Sequence, residues 1–186
     1  MNIIFLGMKH CGKSTCASSV SQILGLTCLD TDDLMSEFHL EHTKESLTAK
    51  EIFAKYGSDF FKVLEKDTVH KLALDLNNTS DSHIIALGGG TPMNGGLVAE
   101  LKETGAKTIY LQTEPATIFS RVKSNGPSRF LSGDDPLKSF IEIAKQREPF
   151  YLKCADVVID TSKTTGVDDM VAQALKVVKI LQKEEA

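Results

Sequence analysis

The sequence predicts an α/β domain in which a mostly parallel sheet carries helices on both faces. Three observations lead there. Short apolar runs rich in Ile, Val and Leu alternate with helix-length patterned stretches along the whole chain. Each run stops at glycine or polar turn residues, as buried strands do. The first run also feeds directly into a glycine-bearing loop that continues as a helical pattern. The 186 residues, 41% hydrophobic and 25% charged, suit one globular domain over 1–186. Pro and Gly mark loops, and no internal repeat or linker divides the chain.

The elements follow in order. NIIFL, Asn2 to Leu6, is a buried strand, and the loop GMKHCGKST, Gly7 to Thr15, runs into a helix over Lys13 to Leu24. TCLD, ending at Asp30, is the second strand. Leu47 to Leu76 covers one or two helices, with Gly57 as the break. HIIALG is the third strand, and a helix from Gly95 to Glu103 follows Pro92. KTIYL is the fourth strand. The helices Pro115 to Lys123 and Pro136 to Leu152 begin at proline, which fits a first helical turn. DVVID is the fifth strand, followed by a last helix over Val167 to Leu181 and a frayed KEEA tail. The polar, glycine-containing segment KSNGPSRFLSGDD, 123–135, reads as a surface loop and a lid.

Composition removes several function classes. A net charge of −4 argues against nucleic acid as the main partner. No apolar run reaches bilayer length, and a signal peptide's basic start and cleavage site are missing, so a cytoplasmic protein without a membrane partner is expected. Cys11, Cys16, Cys28 and Cys154 form no CxxC pair or metal spacing and are expected as reduced thiols. Cys11, beside Lys9 and Lys13, is the one open to oxidation.

The chemistry begins at Gly7-x-x-x-x-Gly12-Lys13-Ser14, the spacing of a phosphate-binding loop. Glycines let the backbone curl so that successive N–H groups face an anion, and the following helix adds its positive end. Lys13 would reach the outer phosphates and the Ser14 hydroxyl would ligate Mg²⁺. A GTPase is disfavoured, because the chain has neither NKxD nor DxxG. A motor-type ATPase is disfavoured because the strand-ending aspartate, Asp160, belongs to the last strand. The third strand ends instead in Leu87-Gly88-Gly89-Gly90, which lets a ligand approach the backbone closely. After strand two, Leu29-Asp30-Thr31-Asp32-Asp33 places Asp30 and Asp32 on one side if the segment is extended. One carboxylate could then serve Mg²⁺ and the other an acceptor hydroxyl. Asp32 or Asp33 would equally serve as a helix N-cap.

Taken in order, the phosphate loop, DTD, F-x-x-x-G-x-x-x-F, GGG, an arginine-bearing lid and a late R-x-P-x-Y resemble shikimate kinase, from Gly7 to about Thr165. The resemblance implies a nucleoside-monophosphate-kinase fold, a P-loop kinase whose five-stranded parallel sheet has the order 2-3-1-4-5. It also implies transfer of the ATP γ-phosphoryl group to the 3-hydroxyl of shikimate, in the pathway to aromatic amino acids. Lys9, His10, Cys11, Gly12, Lys13 and Ser14 would wrap the ATP phosphates, with Ser14 and Asp30 at Mg²⁺. Asp32 would bind the acceptor hydroxyls and act as base. Gly88, Gly89 and Gly90 would line the shikimate ring, and Phe53 and Phe61 would be its apolar walls. Arg147 would hold the substrate carboxylate. Arg129 would close over the ATP phosphates and offset developing charge. Lys163 would pack on adenine. The substrate-binding region is expected over 31–76, in a protein acting as a monomer.

The sequence departs from the family pattern mainly in the acceptor half. Where G-E-x-x-F-R is usual, Gly57-Ser58-Asp59-Phe60-Phe61-Lys62 puts lysine in the carboxylate-gripping slot. Lysine keeps the charge without the planar two-pronged geometry. Ser36 replaces a glutamate usual after DTD, and the segment between Asp32 and Phe53 is longer. Phe130 follows Arg129 where proline is common, and His10 stands where a small residue is common, its ring expected toward solvent. Two other readings remain open at this stage: a gluconate-type sugar-acid kinase, and a nucleotide-binding regulatory protein without efficient catalysis.

Overall fold

The computed structural model describes residues 1–124 and 135–184. Its strands are β1 (Ile3–Leu6), β2 (Thr27–Asp30), β3 (His83–Ala86), β4 (Lys107–Gln112) and β5 (Val157–Asp160). They pair in the order β2-β3-β1-β4-β5, every neighbouring pair parallel. β1 is central, with Ile4 between Ile85 on β3 and Thr108 on β4. All four of its side chains are fully buried, which accounts for an unbroken apolar run where a one-sided strand would alternate.

The helices are α1 (Lys13–Leu24), α2 (Thr31–Thr43), α3 (Ala49–Asn77), α4 (Leu97–Glu103), α5 (Pro115–Ser124), α6 (Pro136–Cys154) and α7 (Val167–Glu184). The strand order and six of the seven helices match the expectation. The addition is α2, which starts immediately after β2. Its cap is Asp30, not Asp32 or Asp33: Asp30 Oδ1 accepts the Asp32 N–H at 3.0 Å. Asp32 and Asp33 instead occupy the first turn, where carboxylates suit the positive helix end. The DTD stretch is therefore a strand-to-helix corner and not an extended segment.

A capping box of Thr48 and Glu51 starts α3. Gly57 interrupts it with φ 80° and ψ −176°, a left-handed conformation that a side chain would strain. Two cores result. The main one follows the sheet, while Met35, Ile52 and Leu64 form a smaller one between α2 and α3, flanked by Phe38, Leu47 and Phe61. The lid expected over 123–135, including Arg129, lies outside the described residues except at its ends.

The carboxyl ends of β1, β2 and β3 carry the phosphate loop, the DTD corner and the triple glycine. The chain leaves β1 toward β2 on one side and later builds β4 on the other. This is the switch point at which open parallel sheets form a crevice.

Candidate active site

A cleft of about 720 Å³ opens at that switch point. Lys9, His10, Gly12, Lys13 and Ser14 line it from the phosphate loop. The loop is held from within. The Cys11 N–H donates to the Met8 carbonyl at 3.1 Å, and Lys13 Nζ, largely buried, donates to the same carbonyl at 2.9 Å. Arg121 of α5 clasps it from outside, donating to the His10 and Cys11 carbonyls at 3.2 Å each. His10 has φ 68°, a left-handed conformation uncommon outside glycine though tolerated by histidine. Burial, then Lys9 and Lys13, lowers the pKa of His10, so its ring is neutral at pH 7. The ring is half-buried at the cleft and does not stand wholly in solvent. Cys11, expected at the phosphates, does not line the cleft. Its thiol is fully buried in the main core, so it is not the oxidisable group that its lysine neighbours suggested.

The DTD corner brings two carboxylates to the same cleft. The Ser14 hydroxyl donates to Asp30 Oδ2 at 2.6 Å. These two hard oxygens are a donor set that Mg²⁺ accepts together with phosphate oxygens, so the residues present fit that cation. Among the described residues no group of three or more His, Cys, Asp or Glu forms a metal cluster; an ion shared with phosphates needs none. Asp32 has its carboxyl pKa raised, first by burial and then by Asp30, with Lys9 and Lys13 opposing. A carboxylate with a raised pKa beside a phosphate site is a stronger base.

Gly88 and Gly89 complete the cleft, whereas Gly90 turns into the short 3₁₀ turn Thr91–Met93 and does not line it. A Cβ on Gly89 would lie 2.9 Å from the Lys9 backbone nitrogen, so the shelf presses directly on the phosphate loop. A Cβ on Gly88 would approach Thr91 Oγ1 at 3.0 Å, Glu65 Oε1 at 3.3 Å and Asp32 Oδ1 at 3.5 Å. Sequence reasoning missed Glu65, a buried carboxylate at the acceptor end whose pKa is raised by burial and, to a lesser degree, by Asp32. Its one sequence signal is an acidic residue within an apolar helical stripe, next to Leu64.

The shelf is also tied to α6. The hydroxyl of Tyr151, fully buried, donates to the Gly89 carbonyl at 2.7 Å and lies 3.4 Å from the Met8 sulfur. Burial drives its phenol up to about 12, with the neighbouring Arg147 guanidinium opposing. Arg147 is thus beside the shelf without lining the cleft. Phe53 and Phe61 meet edge to face at 5.4 Å on α3, and Lys62 follows them on an exposed turn; these three also stand outside the cleft lining.

Comparison with known proteins decides the family. The shikimate kinase family model matches residues 9–179. The chain is 33% identical over 177 residues to a shikimate kinase of Moorella thermoacetica, covering 94% of both chains. It is 34% identical over 164 residues to one from Caldanaerobacter subterraneus subsp. tengcongensis, covering 88% of both. The chain belongs to the shikimate kinase family. A solved shikimate kinase from Acinetobacter baumannii, in complex with shikimate, has the same fold, with TM-score 0.79, 23% identity and coverage of 98% of this chain and 93% of that one.

Within this shikimate kinase fold, the side of the cleft lined from Thr161 to Val167 differs from the sequence expectation at Lys163. Lys163 is 78% exposed and ion-paired with Asp160 at 3.3 Å. Asp160 caps the 3₁₀ turn Thr161–Lys163 and turns Lys163 away, so Ser162, Thr164 and Thr165 face the cleft in its place. Arg121, also on this side, carries no motif by which the sequence alone could single it out.

Proposed function

We propose that the protein transfers the γ-phosphoryl group of ATP to the 3-hydroxyl of shikimate, giving shikimate 3-phosphate and ADP. The observation that supports this most strongly is the convergence of Lys13, Asp32 and the Gly88–Gly89 shelf on one cleft, donor loop on one side and acceptor carboxylate on the other. Asp32 accepts the hydroxyl proton as the acceptor oxygen attacks the γ-phosphorus. The bond from phosphorus to the β–γ bridging oxygen breaks, and ADP leaves with that electron pair. Lys13 and the loop N–H groups hold the phosphates in line, and Arg129 adds positive charge. Ser14 and Asp30 would hold Mg²⁺, which would supply charge neutralisation to the phosphates when bound. Lys62 and Arg147 supply the cations for the acceptor carboxylate, and Phe53 and Phe61 the apolar walls.

Purified protein with Mg-ATP and a panel of shikimate, quinate, gluconate and nucleoside monophosphates tests the reading through ADP release. Stimulation by shikimate is expected. Stimulation by gluconate alone overturns the acceptor assignment, and ATP binding without any acceptor turnover overturns the enzyme reading.

A further inference from the structure

Behind Gly88, at the edge of the cleft, lies a hydrogen-bond arrangement that the phosphoryl-transfer scheme does not use. Glu65 on α3 is 5% exposed, and a buried carboxylate ordinarily sits beside a cation. Among the described residues its hydrogen-bond donors are neutral: Thr91 Oγ1 at 2.6 Å and Asn94 Nδ2 at 2.9 Å. Asn94 Nδ2 makes a second bond, to the Lys62 carbonyl at 3.0 Å. Both partners of that amide are acceptors, so the NH₂ end must face α3, and its two hydrogens are fully used.

These bonds join three parts of the acceptor site. Thr91 N–H donates to the Gly88 carbonyl at 3.2 Å, linking the 3₁₀ turn to the shelf. Glu65 Oε1 and Asp32 Oδ1 converge on the same face of Gly88. Asn94 then pins the α3 turn that carries Lys62 against this group. The chemical consequence follows from Lys62 being a single point charge. Were Glu65 satisfied by the Lys62 ammonium, that cation would be unavailable to an anionic acceptor. Two neutral donors satisfy Glu65 instead, and the Lys62 side chain stays exposed.

From this geometry we infer that Asn94 is a positioning residue for the acceptor. It neutralises the hydrogen-bonding demand of Glu65 and fixes the Lys62 backbone, so that the ammonium is presented to the substrate carboxylate. The inference rests on the acceptor site proposed above. Its signature is a rise in acceptor KM with kcat and the KM for ATP nearly unchanged, because Asn94 touches neither the phosphate loop nor Asp32.

The test is steady-state kinetics of Asn94→Ala and Asn94→Asp with Mg-ATP and shikimate, with thermal unfolding of each variant. Asn94→Ala removes both bonds and should raise the KM for shikimate about tenfold, with kcat and the KM for ATP within about threefold of wild type. Asn94→Asp has nearly the same shape but sets a carboxylate against Glu65, so it should raise that KM further. Adding Glu65→Gln to Asn94→Asp restores a donor across the gap and should recover part of the loss, which a purely structural role for the asparagine shape does not predict. Ordinary turnover of shikimate by wild type, with its KM unmoved in both single variants, overturns this inference alone. No turnover of any acceptor by wild type overturns it together with the proposed function.

Discussion

Replacing Gly89 by alanine tests the contact on which the active-site geometry depends. The added Cβ would lie 2.9 Å from the Lys9 backbone nitrogen and 3.3 Å from the Gly7 carbonyl oxygen. Ordinary contact begins near 3.4 Å, so about 0.5 Å of separation must be created. No flexible side-chain end can yield it, because both sides are backbone and the Gly89 carbonyl is held by Tyr151 at 2.7 Å. Overpacking of this kind costs about 1–3 kcal/mol, which in a chain of this size lowers Tm by about 2–12 °C. A 1 Å misplacement of reacting groups can cost about 100-fold in rate, so half that displacement predicts about a tenfold fall in kcat. ADP release with Mg-ATP and shikimate, alongside thermal unfolding, measures both. Gly90→Ala is the control: among the described residues no atom beyond its chain neighbours lies within 4 Å of its Cβ position and φ is −95°, so it should match wild type within about 0.5 kcal/mol. Gly89→Ala behaving like Gly90→Ala in kcat and Tm would refute the close-contact reasoning.

Three further outcomes are expected. Asp32→Asn should cut kcat by orders of magnitude and spare the KM for ATP. Since burial and Asp30 raise the Asp32 pKa, the wild-type kcat/KM should fall on an acid limb lying above the ordinary carboxylate range as pH drops through that value. The linked stability has the opposite sense: a carboxyl whose pKa is raised on folding favours the folded state when protonated, and this contribution is lost as pH rises through the folded value. Asp32→Asn should therefore raise Tm at neutral pH while abolishing turnover, and a lower Tm would contradict the burial argument. Tyr151→Phe removes the donor to the Gly89 carbonyl and should cost about 1–2 kcal/mol in denaturant unfolding, with a lower kcat; an unchanged midpoint would show the bond to be dispensable. Lys62→Arg should lower the KM for shikimate by restoring two-pronged carboxylate geometry, and an unmoved KM would place Lys62 outside the carboxylate slot.

The succession of strands and helices and the donor loop were legible because each depends on local pattern, whereas the strand order followed only from the family resemblance. An apolar run is buried on both faces, proline marks a first turn, and glycine spacing permits the phosphate loop. The α2 helix was not legible, because TDDLMSEFHLEHT begins in three polar residues that read equally as loop, and its cap, Asp30, had already been assigned to a strand end. The orientation of Lys163 was not legible for a related reason: the loop can be read from sequence, but its exposed ion pair with Asp160 cannot. Arg121, Glu65 and Asn94 depend on side-chain contacts across 26 or more residues, and no local spacing reveals them.

The two cores explain where the departures in the acceptor half fall. Tyr151, Gly89, Met8 and the phosphate loop form one block, joined by hydrogen bonds and backbone contact and backed by the main core. Its geometry governs phosphoryl transfer, and a change there disturbs the reaction itself. Ser36, Ser58 and Lys62 lie instead on α2 and α3, which pack on each other through the separate cluster of Met35, Ile52 and Leu64. On the proposed acceptor reading, side chains of these helices can be exchanged without moving the block. Asn94 is the exception, since it reaches from the shelf side to the Lys62 backbone and the Glu65 carboxylate. A substitution at position 62 should therefore change acceptor affinity independently of ATP handling only while that bridge is intact. Combining Lys62→Arg with Asn94→Ala should give a non-additive effect on acceptor KM. Strict additivity would mean that the two residues do not act on the same group.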